Sequence, residues 1–409
     1  MDEGRFRLRS LVLPFYIPAF LWSTGAGFLL PVLPLHIRSL GATLSETGMV
    51  MASYAVGAIV GNLPTVGLVA RFGKKRTIIA ALLLEVFLAV AAYATRSLVV
   101  LAVMLFGLGV THTMHFVSRL AFFRELVPTQ RRGRALSLLG GETRMGSSLG
   151  PVIGGIVAQR FGGAEVFLLF SAVSVVVAGV VTAFVPADPP AVSPDTQLRQ
   201  PVFRAIPAVF AQYQRLFLTA GFAVFALKLV REARKVIFPL WGDRIGMSVA
   251  HIGALFSVSY IVEMALFYPA GSIMDRWGRK KTAVPCLAIF AVGFLVLPLA
   301  TRPVLFAVVA LILAVGNGLG SGINMTLSTD FAPPDGVVEF LVTWRVVTDI
   351  GGAASPVLVG VVASAVGLAW SSPLVALVSL SGALVMAFLV REPLRSTSSP
   401  TPSRAILPP

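Results

Sequence analysis

"YPAGSIMDRWGRKKTA", residues 268–283, stands between two long apolar runs. "LPTVGLVARFGKKRTI", residues 63–78, stands between two others, with the same glycine and cations but with Ala70 where the later copy has Asp275. The two stretches lie 205 positions apart, as from Gly73 to Gly278, and that shift aligns the flanking chain without a gap. Gly41 meets Gly246, Gly48 meets Gly253, Pro64 meets Pro269, Arg71 meets Arg276 and Lys75 meets Lys280. Farther on, Pro128 meets Pro333, Gly146 meets Gly351, Pro151 meets Pro356 and Gly155 meets Gly360. Scattered glycines align by chance, but one constant offset over so long a stretch marks an internal duplication.

Composition says what is duplicated. Of 409 residues, 56% are hydrophobic and 12% charged, against about 25% charged in soluble domains. Apolar runs of about 20 residues recur throughout, each long enough to cross a hydrocarbon core of about 30 Å. The runs are continuous rather than alternating, which excludes a β-barrel. The class is all-α integral membrane, with twelve spans over 11–35, 45–69, 76–95, 97–123, 136–160 and 164–186, then 216–240, 249–273, 281–300, 303–327, 337–366 and 369–390. The duplication divides them into two six-helix bundles, 1–187 and 216–391, pseudo-symmetric about an axis along the membrane normal. Between them, 188–215 reads as a Pro-rich linker whose second part lies along the membrane surface with Phe203, Ile206, Val209 and Phe210 inward. The tail, 392–409, has the composition of a disordered segment.

The net charge of +15 invites a nucleic-acid reading, which its distribution rejects. Most Lys and Arg lie in the N-terminus, alternate loops and the C-terminus. The opposite loops hold only Arg38, Arg96, Arg160, Arg244 and Arg302. This positive-inside asymmetry predicts a multi-pass protein with both termini in the cytoplasm. The lone Cys286 rules out an intrachain disulfide framework. The apolar run after "MDEGRFRLRS" exceeds a signal-peptide core and is expected to stay as the first span.

Two motifs carry a family resemblance over nearly the full length. Gly271, Asp275, Arg276, Gly278, Arg279 and Lys280 fit G-x-x-x-D-R-x-G-R-K, and Gly146, Gly150, Pro151, Gly154 and Gly155 fit G-x-x-x-G-P-x-x-G-G in span 5. The chain thereby resembles the major facilitator superfamily of secondary transporters, in which the second element accompanies antiporters and exporters. That resemblance implies alternating access, a substrate site between the halves, and contact of span 5 with span 8. The arginine that many family exporters carry in span 4 is replaced by Val103, and span 1 has no acid, which argues against a generic exporter of cationic drugs.

Loop cations anchor against anionic headgroups, but an acid does not. The Asp275 carboxylate either latches onto backbone N–H groups of a neighbouring helix in one state of the cycle, or forms a static cap. Gly271 and Gly278 would permit close approach and a tight turn. The first copy lacks the acid and is expected to keep only the anchoring role. Gly146, Gly150 and Gly154 make a flat face beside Pro151, read as tight packing, a pliable hinge, or both. "GNGLGSGIN" in span 10 reads as close packing and not as a dinucleotide loop, because no strand precedes it.

Each ionisable residue at mid-membrane costs roughly 2.5–3.5 kcal/mol on insertion scales and therefore needs a partner or water. In span 7, Lys228, Arg231, Glu232 and Lys235 form one helical stripe beside Arg234. It is expected to face the central cavity, with Glu232 paired to Lys228 and Lys235. The remaining positive charge would then attract an anion or tie the halves together. Glu142 and Arg144 lie in span 5, Glu263 in span 8, and Arg345 and Asp349 in span 11. Their depths predict an Arg144–Glu263 contact between halves and an Arg345–Asp349 pair at i, i+4. His112, His115 and Arg119 share a face of span 4, either as proton carriers or as hydrogen-bonded interior groups. A third metal ligand is not identifiable there. Glu85 in span 3 reads as a packing feature.

The reading that follows is a proton-coupled exporter of a small organic molecule in the bacterial cytoplasmic membrane. It would work as a monomer without metal or cofactor, its proton carried by Glu232, Glu263, Glu142, Asp349 or the histidines. Uptake or exchange of an organic anion is the alternative within transport, and a non-transporting receptor the alternative outside it. No Walker, H-E-x-x-H or G-x-S-x-G element argues for an enzyme.

Overall fold

A backbone in hydrocarbon must satisfy its own hydrogen bonds, so each apolar run closes into a helix. The computed structural model describes residues 8–188 and 205–392, without side chains at 8, 129–134, 136 and 137. The polar part of the expected linker, Phe203 included, and nearly all of the expected tail lie outside the described residues.

Spans 1 to 6 are Ile17–Ser39, Leu44–Val60 continued by Asn62–Phe72, Lys74–Ala94, Leu98–Leu126, Thr129–Phe161 and Glu165–Phe184. Spans 7 to 12 are Phe222–Arg244, Val249–Trp277, Lys280–Val296, Pro303–Leu319 continued by Ile323–Asp330, Val337–Val366 and Leu368–Phe388. Among the described residues nine helices are long and apolar enough to cross a membrane, and the pair forming span 2, bent by 43°, makes a tenth. Spans 5 and 7 complete the twelve. They fall short in hydropathy because they carry Glu142, Arg144 and the charges of the span 7 stripe, the residues that matter most below.

The duplication is physical. Thr43 caps span 2 and Ser248, its counterpart, caps span 8. Spans 1 and 5 pack together as 7 and 11 do, 2 and 4 as 8 and 10, and 3 and 6 as 9 and 12. The halves meet through spans 5 and 8 and, by the same operator, through 11 and 2. At these crossings only glycine fits: a methyl on Gly48 would strike the carbonyl of Pro356, and one on Gly253 the carbonyl of Pro151. Gly155 lies against Val249 and Gly360 against Leu44. These four contacts are two dyad-related pairs, and all lie toward the end that carries loops 1–2 and 7–8. Near the opposite end, Gly140 and Gly141 of span 5 and Gly271 of span 8 have open space where a side chain would stand. The close crossings between the halves thus lie away from the end that bears the two motif loops.

Two local expectations change. The close approach expected at Gly271 is absent in this state. The "GNGLGSGIN" stretch packs closely at Gly318, against Leu266 and Glu263, but Gly322 takes a left-handed φ of 84° and breaks span 10 there. The short helix Ile206–Gln212 is held by protein contacts: Val209 and Phe210 rest on the C-terminal core, with the Phe210 ring stacked 5.3 Å from Phe217.

Candidate functional site

Span 7 supplies the charge. Its apolar residues Val224, Leu227, Val230, Ala233 and Val236 are buried, while Lys228, Glu232 and Lys235 remain about one-third exposed. The stripe therefore borders the space between the halves. Lys235 pairs with Glu232 at 2.7 Å, as expected. Lys228 does not join them: it crosses to span 11 and pairs with Asp349 at 2.5 Å. Asp349 also takes Arg345 at 3.5 Å, the predicted i, i+4 pair. Arg231 donates to the Gly320 carbonyl at 2.9 Å, where the break in span 10 frees that oxygen, and its Nε has no partner.

Arg234 is the buried member: Arg144 comes near enough to feel the Glu263 charge, as expected, but Arg234 takes the carboxylate. Arg234 Nη1 lies 2.6 Å from Glu263 Oε1, with both side chains 4% exposed, and Asn317 donates to the other carboxylate oxygen at 2.7 Å. Glu263 is thus satisfied within its own half. Arg144 does reach span 8, but its guanidinium sits 4.5 Å over the Phe267 ring. A cavity of about 120 Å³ opens beside Arg231, Glu232 and Lys235, walled by Tyr260, Phe290 and Asn317. With polar cations on one wall and rings on the other, it suits a small organic group with a negative or acceptor-rich end.

In the N-terminal half, Trp22 of span 1 lies between two sets of groups. Its ring centroid is 4.9 Å from His112 and 5.2 Å from His115, and its Nε1 donates to Glu85 Oε2 at 3.0 Å. His112 Nδ1 and His115 Nε2 are buried without hydrogen-bond partners. The same holds for Arg119 Nε and Nη1 and for Glu142 Oε2, while Thr143 Oγ1 donates to Glu142 Oε1 at 3.4 Å. Among the described residues no three groups are arranged to hold a metal.

In span 5 the glycine face is packed: Gly146, Gly150 and Gly154 lie against the backbone of span 1 at Phe20, Thr24 and Phe28. Pro151 and Gly155 face span 8 across the interface, and the helix runs unbroken through the proline.

The motif loops hold partners that sequence reasoning missed. Gly73 and Gly278 have φ of 85° and 98°, a turn that lets an acid approach the first N–H groups of the next helix. Asp188 accepts from Lys74 N at 2.8 Å and Lys75 N at 3.1 Å, and Glu392 from Arg279 N at 2.8 Å and Lys280 N at 3.0 Å. Lys75 Nζ donates to the Thr182 carbonyl at 2.9 Å, and Lys280 Nζ to the counterpart at Ala387 at 2.6 Å. Lys74 pairs with Glu125 at 2.8 Å and Arg279 with Asp330 at 2.6 Å. The 205-residue shift relates Lys74 to Arg279 and Glu125 to Asp330, a signal available in the sequence. The first copy therefore does more than anchor. Asp275 is 80% exposed and pairs with Arg279 at 4.0 Å, and Arg276 beside it is exposed.

The comparisons agree with this arrangement. The family model described as Major Facilitator Superfamily matches residues 15–231 and 222–408. Multidrug resistance protein 2 of Bacillus subtilis is 23% identical over 77% of this chain and 85% of its own. An uncharacterized MFS-type transporter of Methanocaldococcus jannaschii is 21% identical over 89% and 94%. Quinolone resistance protein NorA of Staphylococcus aureus is 29% identical over 35% and 37%. A crystal structure of a D-xylose–proton symporter shares the fold, with a TM-score of 0.71 and 16% identity over 94% of this chain and 98% of that one. With both family matches falling on the two duplicated halves, this chain belongs to the Major Facilitator Superfamily and is a membrane transporter rather than an enzyme.

Proposed function

We propose that the protein exports a small organic molecule in exchange for protons across a bacterial cytoplasmic membrane, with both termini inside. The observation that carries this reading is that the close crossings between the halves lie at the short-loop end, from which we infer a parting at the opposite end. It lies on the side of the cation-rich motif loops, which positive-inside topology assigns to the cytoplasm. It leads toward the polar face of span 7, so the observed state offers its charged pocket to solutes from within. Relatives named for multidrug and quinolone resistance support the outward direction. A potential of 100 mV supplies about 2.3 kcal/mol per charge, and about 1.4 kcal/mol sustains a tenfold concentration ratio, so one exchanged proton suffices.

The cycle follows from the dyad. Each half moves as a body about the glycine–proline crossings, closing the parted end and opening the other. Closure would carry Asp275 of span 8 toward the start of span 5, whose N-cap residue, Pro128, makes no side-chain cap. There the carboxylate would accept from backbone N–H groups and hold the cytoplasmic side shut. In the observed state the latch is released, and Asp188 and Glu392 keep each loop fixed within its own half.

Flux in proteoliposomes under an imposed pH gradient, screened over anionic and cationic compounds, tests the proposal. Inverted vesicles made acid inside should accumulate the transported compound. Accumulation only in right-side-out vesicles would establish uptake instead. Exchange of organic anions is the second reading, favoured by the unpartnered Arg231 Nε and the surplus of cations in span 7. It would appear as anion counterflow indifferent to the pH gradient.

A further inference from the structure

The acids of the charged pocket are each engaged by a cation: Glu232 by Lys235, Glu263 by Arg234, and Asp349 by Lys228 and Arg345. Glu142 has Arg119 as its cationic neighbour. Glu85 is different. It stands at the middle of span 3, about 16 Å from Lys74 at 1.5 Å per residue, and is 2% exposed. Among the described residues no lysine or arginine forms an ion pair with it. Its partners are neutral: Trp22 Nε1 at 3.0 and 3.3 Å to its two oxygens, and Ser174 Oγ at 3.3 Å.

The duplication says what that place is. Shifted by 205 residues, Glu85 falls on Phe290 and His112 on Asn317, two residues that wall the cavity beside Arg231 and Lys235. The N-terminal half has filled the equivalent position with a carboxyl, an indole and imidazoles. We propose that Glu85 is a proton-binding site of the N-terminal half, gated by Trp22. This rests on the antiport reading for its purpose, but not for its existence.

A carboxylate without a cation at this depth carries a heavy desolvation penalty. The protonated acid avoids that cost while its oxygens still accept from the indole. In the observed state Glu85 therefore holds its proton. Other groups with charge or titration near it are few. Span 4 brings His112 and His115 to the far face of Trp22, with Arg119 beyond, and Tyr54 of span 2 lies 6.0 Å from His112. Span 6 contributes Ser174 at this level, and the second helix of span 2 only the exposed Arg71. Release requires Trp22 to move and half-buried His112 to admit water. Span 1 can do this, because it also packs along the glycine face of span 5, which crosses to the other half. Binding is the reverse: a proton adds to one carboxylate oxygen and nothing else is consumed.

Infrared difference spectroscopy of the full-length protein in liposomes tests the site with protons alone. The wild type should show the carbonyl stretch of a protonated carboxylic acid at neutral pH, lost on strong alkalinisation. Glu85→Gln, isosteric with the protonated acid, should lack that band while melting like the wild type. Trp22→Phe should keep the band but shift its frequency, since the indole hydrogen bond is gone; this variant also serves if Glu85→Gln does not fold. A band unaltered by both substitutions, or absent from the wild type at neutral pH, would overturn the site. If the band behaves as expected but no proton-driven flux is found, the site stands and the antiport reading fails.

Discussion

At the scale of single residues, the decisive event is competition for carboxylates. Glu263 has two suitors at similar depth, Arg234 in its own half and Arg144 across the interface, and Arg234 wins with Asn317 in support. Sealing both charges at 4% exposure makes the pair expensive to break. Removing one partner of a buried pair costs about 3–5 kcal/mol, whereas replacing both by apolar groups is often neutral. Glu263→Gln should therefore lower the melting temperature in detergent sharply, and Arg234→Met with Glu263→Leu should restore most of it. Equal melting of the single and double variants would show that the pair is not a stability element. Asp275 answers to another logic, being 80% exposed and, among the described residues, without a bond across the interface. Asp275→Asn should slow turnover about tenfold while leaving ligand affinity and melting nearly unchanged, as measured by proteoliposome flux and equilibrium binding. Unaltered turnover would remove the latch. The charges themselves were legible in the sequence, since ionisable residues in an apolar run announce themselves. Their partners were not, because i, i+4 spacing finds Arg345–Asp349 but cannot rank contacts between helices. Lys228 illustrates the limit: Glu232 lies four residues away, yet Lys228 turns to span 11.

At the scale of elements, spans 5 and 8 show how glycine sets helix distance. Span 5 offers Gly146, Gly150 and Gly154 to span 1 and Pro151 with Gly155 to span 8, so one helix is gripped from both halves. Gly253→Val would press a branched side chain into the Pro151 carbonyl. Overpacking costs about 1–3 kcal/mol, and here it falls on one conformational state rather than on the fold. Populations should shift about tenfold per 1.4 kcal/mol toward the state open at the short-loop end. Spin labels placed at the two ends, read by pulsed distance measurement, check this; an unchanged distribution would mean the crossing is not a pivot. The sequence motif marked these glycines, and their packing on span 1 follows from the i, i+4, i+8 face. Two breaks escaped notice. Span 2 bends by 43° at Gly61 and span 10 parts at Gly322, where the backbone turns left-handed, and hydropathy runs smoothly past both.

At the scale of the whole molecule, a single operator organises the packing, the loop ion pairs and the pocket. The 205-residue shift was readable at once, and it divided the twelve spans into two sets of six before any contact was known. What the shift could not show is which end is closed, because both states of a rocking pair contain the same sequence. That question belongs to tertiary contacts: Ser45 N donates to Ser364 Oγ at 2.7 Å, joining span 2 to span 11 at the short-loop end. Alternating access requires this contact to break once per cycle. Cys286, the chain's one cysteine, is fully buried, so an introduced pair should report without interference. Ser45→Cys with Ser364→Cys should cross-link under mild oxidation, because the Ser45 backbone lies within hydrogen-bond reach of the Ser364 side chain, a spacing compatible with the short Cα separation a disulfide needs. Cross-linking should reduce flux more than tenfold, and reductant should restore it, while each single variant transports normally. Transport that continues through a completed cross-link would mean that this end never opens, and the two halves would then have to pass substrate by some motion other than rocking.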